Sequence, residues 1–147
     1  MDRKEYDQLA EELKPNGHKI SNAFHAFIYG GVIGIIAQGV LEFFMKTYKY
    51  SQKEATPLMI ITLVFVACLL TGLGIYDNIA KHAGAGTFIP ITGFANSMAS
   101  SALDSKSEGL VLGIGSNMFK LGGTVLTYGI VSSSLLGVIR YVITLFR

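Results

Sequence analysis

Three apolar runs, at about residues 23–44, 57–76 and 124–145, constrain this chain of 147 residues more than anything else in it. Each holds about the 20 apolar residues that carry a helix across a hydrocarbon layer of about 30 Å. Lipid offers backbone N–H and C=O groups no partner, so a spanning run of this kind folds as a helix. Composition points the same way. Half of the residues are hydrophobic and 15% are charged, against about 25% charged in soluble domains. The length suits one domain. The sequence therefore predicts a polar N-terminal tail over 1–22 and a transmembrane domain over 23–147. The tail mixes both charge signs without an apolar core, so it reads as neither signal nor transit peptide. It reads as a short charged helix over Asp2–Leu13, lying on a membrane or partner, or equally as a solvated tail, and the first apolar run serves as an uncleaved insertion signal.

Between the second and third runs lies a segment too apolar for water and too polar for plain anchoring. Residues 84–123 read GAGTFIPITGFANSMASSALDSKSEGLVLGIGSNMFKLGG. Polar side chains and irregular backbone persist at bilayer depth only where protein or a water-filled cavity surrounds them. Gly84 and Gly86 form a flexible entry, and Pro90 ends any helix begun at Thr87. The twelve residues of 92–103, if helical, rise about 18 Å and fall short of a crossing. Asn96 and Ser100 then share a face, with Ser97 beside them. Asp104 to Gly109 make a turn and helix start. From there the apolar stretch to Phe146 would be about 57 Å long as one helix, so it is expected to break at Lys120, Leu121, Gly122 and Gly123. The fold class that follows is an all-α integral membrane protein, with three full transmembrane helices and two short half-membrane or re-entrant central helices.

These polar residues make a candidate solute path from Asn96, Ser97, Ser100, Asn117 and Lys120. Gln38 has two readings. Gly30, Gly34, Gln38 and Glu42 recur every fourth residue of the first run, and small residues at that spacing let helices approach closely. Gln38 is then an interhelical hydrogen-bonder, or else it faces a pore. Pro57 reads as a first-turn residue of the second helix, and Asp77 and Lys81 as an ion pair four residues apart. Lysines are spread so evenly that they lean only slightly towards a cytoplasmic N-terminus.

Other chemistry finds little support. Cys68 is the sole cysteine, and His18, His25 and His82 stand apart, so no metal site and no disulfide is expected. No nucleophile elbow, P-loop or dinucleotide fingerprint is present. A formal charge of +2, from scattered lysines and arginines, gives no nucleic-acid footprint. No enzyme and no cofactor is expected. Three remaining classes use the residues: a channel, a non-conducting scaffold that recruits soluble partners, and a small ion-coupled carrier. Three spans are few for a pore, so a homo- or hetero-oligomer is expected under each.

The words TGLGIYDNIAKHAGAG, PITGFANSMASSALDSKSEG and LGIGSNMFKLGG, with GGVIGIIAQG in the first run, resemble the AC family of stage V sporulation proteins. The resemblance covers about 23–141, and the tail matches loosely around Lys14, Pro15 and Asn22. A related AE-type subunit shares the AGAG word and the proline-to-asparagine segment. The resemblance implies a multi-pass protein of the inner spore membrane that works alongside AD-type and AE-type subunits. It implies a channel that moves dipicolinic acid, chelated with calcium, into the developing spore and out at germination, with a response to membrane tension. Calcium dipicolinate is formally neutral, and amides and hydroxyls suit such a solute. Asn96, Ser97, Ser100 and Asn117 then line the path, with Gln38 as an addition. Lys120 steers carboxylates at a mouth or snorkels at the interface. The glycine joints Gly84, Gly86, Gly122 and Gly123 serve as hinges.

Overall fold

The structure, a computed structural model, describes residues 3, 6 and 19–146. Among them the elements are all helical. Helix α1 spans Lys19–Tyr48, α2 Gln52–Gly72, α3 Tyr76–Ala83, α4 Ala85–Phe88 and α5 Ile91–Asp104. A 3₁₀ turn at Lys106–Glu108 and a π-helical stretch at Leu110–Gly115 lead into α6, Ser116–Leu145. The expected helix over Asp2–Leu13 lies outside the described residues, except that Arg3 and Tyr6 are helical. The chain is thus all-α, and three of its helices are long and apolar enough to cross a membrane: Lys19–Tyr48, Gln52–Gly72 and Leu110–Leu145.

The hairpin between α1 and α2 is closed by its own sequence. Lys49 takes the left-handed conformation at φ 55°, just beyond the last turn of α1. Around it, the rings of Phe43, Phe44, Tyr48 and Tyr50 touch in succession, with centroids 5.7 to 6.2 Å apart. Glu42 pairs with Lys46 at 2.7 Å. Helix α2 begins earlier than Pro57 suggests. Glu54 accepts from both the backbone N–H and the hydroxyl of Ser51, at 2.9 and 2.7 Å. These bonds fix the first turn five residues upstream, and Pro57 sits inside the helix. Its missing N–H leaves the Lys53 carbonyl, one turn back, without its intrahelical donor.

At its other end α2 closes through Gly74, at φ 71°, with the Ile75 N–H donating to the Leu70 carbonyl at 2.9 Å. The short helix α3 then places Tyr76 and Ala83 in the protein and leaves Asp77, Asn78, Lys81 and His82 exposed. No Asp77–Lys81 ion pair forms; the one ion pair among the described residues is Lys46–Glu42. Lys81 faces a cleft against α1 instead.

Two close approaches hold the central segment. A Cβ on Gly86 would collide with the Ala26 carbonyl of α1 and stand 2.9 Å from the Gly30 nitrogen, so glycine is what lets α4 lie on α1. A Cβ on Gly93 would meet the carbonyls of Thr87 and Phe88, which sets the turn through Pro90 tightly. Helix α5 packs on α2, where Ala67, Tyr76 and Ala95 form the small buried core.

The break expected at Lys120 to Gly123 is absent. The helix runs on through Gly122 and Gly123, while the turn expected ahead of it forms at Ser105 to Gly109, where Gly109 has φ 95°. Helical glycine costs only about 1 kcal/mol relative to alanine. Polar side chains here bond back to their own helix: Asn117 to the Gly113 carbonyl, Thr124 to Lys120 and Thr127 to Gly123. Helix α6 returns along α5, with Gly113 against Ser105 and Gly122 3.8 Å from the Met98 methyl. Beyond Gly122 its residues to Phe146 are exposed.

Candidate functional site

Asn96 is the polar centre of the bundle. It is half-buried on α5, and its Oδ1 accepts a 2.7 Å hydrogen bond from the Thr71 hydroxyl on α2. Thr71 is 8% exposed, and its hydroxyl lies equally close to its own helix's Ala67 carbonyl, at 2.7 Å. One hydroxyl carries one proton and accepts through its lone pairs. If Thr71 donates to Ala67, the Asn96 amide turns and donates to Thr71. Asn96 therefore stays anchored in either arrangement, with half of its amide left for the cavity beside it.

That cavity, of about 430 Å³, lies between α3 and α5. Asn96 and Ser97 line it with Tyr76, Thr87, Gly93 and the Gly84–Ala85 linkage. Hydrogen bonds tie its wall to the neighbouring turns. Tyr76 donates to the Thr87 carbonyl at 3.0 Å, which ties α3 to α4. The Thr87 hydroxyl donates to the Gly84 carbonyl at 3.2 Å, and Ser97 donates to Gly93 at 3.0 Å. Gly84 itself has φ 50° and ψ −124°, a conformation open to glycine and costly for other residues.

The remaining candidates are placed elsewhere. Ser100 is half-buried on α5 and Asn117 half-buried on α6, where the Asn117 amide bonds to Gly113 at 3.0 Å. Lys120 is exposed on α6. Gln38 is exposed on α1 and donates to Glu42 at 3.4 Å. Of the α1 glycines, Gly30 lies against Gly86, with 3.5 Å from its Cβ position to the Gly86 backbone, whereas Gly34 faces open space. Pro90 caps α5 and borders a second, apolar cavity with Gly30 and Gly86.

Tyr76 and Thr87 complete the cavity and Thr71 anchors Asn96 beside it; none of the three was among the candidate site residues read from sequence. Thr71 is 25 residues from Asn96, and no local pattern joins them. Tyr76 carried a signal, as an aromatic at the end of an apolar run with a hydroxyl to satisfy. Among the described residues, no three His, Cys, Asp or Glu side chains gather where they could hold a metal ion. The cavity offers an amide, hydroxyls and backbone carbonyls, which suit reversible contact with a polar solute.

No solved structure matches the chain. A family model described as "SpoVAC/SpoVAEB sporulation membrane protein" matches residues 22–139. Stage V sporulation protein AC of Bacillus subtilis (strain 168) is 44% identical over 139 residues, covering 95% of this chain and 93% of that relative. With a match over most of its length and an all-helical architecture bearing three long apolar helices, the chain belongs to the SpoVAC/SpoVAEB family of sporulation membrane proteins.

Proposed function

We propose that this multi-pass membrane protein is a channel subunit that moves dipicolinic acid, free or as its calcium complex, across the inner spore membrane. Uptake belongs to sporulation and release to germination. The observation that carries the reading is the cavity of about 430 Å³ at Asn96 and Ser97, which brings an amide and a hydroxyl into a mostly apolar wall with Ala80 and Phe88. A formally neutral complex needs hydrogen-bonding groups and room more than a ring of charge. Asn96 and Ser97 supply the contact, and Ser100 continues their helix face. Asn117, Lys120 and Gln38 lie outside this cavity, so a path that includes them runs between chains. AD-type and AE-type subunits, or further copies, supply the remaining wall.

Gating in this reading rests on the joint at Gly84, Gly86 and Pro90, because the second glycine pair, Gly122 and Gly123, is continuous helix. Membrane tension that shifts α1 acts on α4 through the Gly30–Gly86 contact. A scaffold reading draws on a different feature, the exposed length of α6 beyond Gly122, which leaves a full apolar helix for partners. An ion-coupled carrier has no structural feature in its favour.

The test is efflux. Protein reconstituted in liposomes loaded with calcium dipicolinate should release it under applied tension, followed by ultraviolet absorbance outside. Asn96→Leu should suppress release while the variant still inserts and purifies as the parent does. Normal release by Asn96→Leu removes the cavity from the path. No release by the parent, even with partner subunits added, leaves the scaffold.

A further inference from the structure

A second cleft, of about 410 Å³, lies between the start of α1 and the polar side of α3. Asn22, Lys81 and His82 bring its polar side chains, and Gly84 and Ala85 form its floor. Those same two residues also line the Asn96 cavity. One strained glycine linkage therefore separates a cationic cleft from a neutral polar cavity.

The cleft's chemistry is set by what its neighbours do. His82 Nδ1 lies 2.9 Å from the Asn78 carbonyl. A carbonyl only accepts, so Nδ1 carries the proton; Nε2 is the edge left to meet a ligand, an acceptor in the neutral ring and a donor to an anion once the ring takes up a second proton. Lys81 is exposed and bears no ion pair, since the one formed among the described residues joins Lys46 and Glu42. Asp77, one turn earlier on α3, forms no part of the cleft wall. Across the cleft α1 carries Asn22, flanked by Lys19 and by His25, whose Nδ1 is bonded to the Ser21 carbonyl at 2.8 Å. Among the described residues no carboxylate lines the cleft, so Lys81 makes its field positive.

We propose that this cleft captures a small carboxylate anion, held by Lys81 with Asn22 opposite and by His82 donating from Nε2 as the anion draws a second proton onto its ring, before the solute reaches the Asn96 cavity. Resting on the channel reading above, the anion is free dipicolinate, and the calcium complex, being neutral, binds the cleft more weakly. A phosphate of an anionic lipid presents the same chemistry. The two sources differ in that one is dissolved and the other is part of the bilayer.

The full chain in nanodiscs of zwitterionic phosphatidylcholine separates them. With isotope-labelled histidine, the ring resonances of His82 are identified by their loss in His82→Gln. Calcium-free dipicolinate should shift them saturably. Lys81→Gln should weaken the apparent affinity about tenfold, the loss of one charged hydrogen-bonding partner, and Lys81→Arg should restore most of it. Asn96→Leu should leave binding intact. An absent shift, or a shift indifferent to Lys81→Gln, overturns the capture site. So does a shift produced by anionic phosphatidylglycerol alone that dipicolinate cannot displace, which assigns the cleft to lipid. Binding without efflux rejects the channel reading and leaves the cleft, whereas efflux without binding rejects only the cleft.

Discussion

Gly84–Gly86 and Gly122–Gly123 look alike on paper, as small flexible steps between apolar stretches, yet only the first interrupts the chain. Gly84 adopts φ 50°, its N–H closes α3 on the Ala80 carbonyl at 2.9 Å, and Gly86 presses on the backbone of α1. Gly122 and Gly123 are ordinary helix, with nothing within 4 Å of a Cβ built on Gly123. Glycine permits a break but does not cause one. The first pair has a proline four residues on and a neighbouring backbone to receive the turn. The second has neither, and in apolar surroundings a broken helix leaves N–H and C=O groups without partners.

The largest expected effect comes from filling the tight joint. Gly86→Val places carbon where the Ala26 carbonyl lies, with the Gly30 nitrogen 2.9 Å from the Cβ position. Backbone cannot step aside as a side chain does, and overpacking of this kind costs about 1–3 kcal/mol or more. At about 2–4 °C per kcal/mol, the thermal midpoint in detergent should fall by several degrees, read by size-exclusion chromatography after heating. An unchanged midpoint would mean that α4 does not lie on α1.

A smaller effect is expected where the two sides of the central segment meet. Thr71→Val keeps shape and removes the hydroxyl that anchors Asn96. The amide borders a cavity and can recruit water, so the cost sits near the low end of the about 1–3 kcal/mol for an orphaned polar group. Thr124→Val, which removes an exposed bond to its own helix, is the matched control and should not register. Equal losses in the two variants would remove the distinction between a cross-helix anchor and a local one.

The contrast also explains which features were legible in sequence. Helices α1 and α2 and the apolar half of α6 followed from run length, because lipid forces the backbone to bond within itself. The start of α2 was missed by five residues because Ser51 and Glu54 lie in a polar loop that drew less notice than Pro57. The separate helix α3 was missed as well, although its apolar Tyr76, Ile79, Ala80 and Ala83 alternate with exposed Asp77, Asn78, Lys81 and His82 at helical spacing. Asn96 and Ser97 stood out as polar residues among small ones. Their setting did not, since Thr71, Tyr76 and Thr87 reach them through tertiary packing. Gly30 announced a close approach, while its partner Gly86 belongs to a turn whose geometry no local pattern encodes. Gly122 and Gly123 misled because a length argument demanded a break after Gly109, whereas the stretch from Leu110 to Leu145 runs on as one long helix.

The smallest expected effect is also the sharpest probe of the second glycine pair. Gly123→Ala adds a methyl into open space on a continuous helix. Alanine is favoured over glycine there by about 0.8–1 kcal/mol in water, and part of that preference persists in lipid, where the helix is already enforced. A slightly raised or unchanged thermal midpoint is therefore expected, with efflux preserved. A clear loss of stability in the full assembly, but not in the isolated chain, would show that another helix lies against Gly123, and that α6 owes its exposure to a missing neighbour. A loss of efflux at unchanged stability would mean that Gly122 and Gly123 bend in a second conformation, restoring to them the joint that this one lacks.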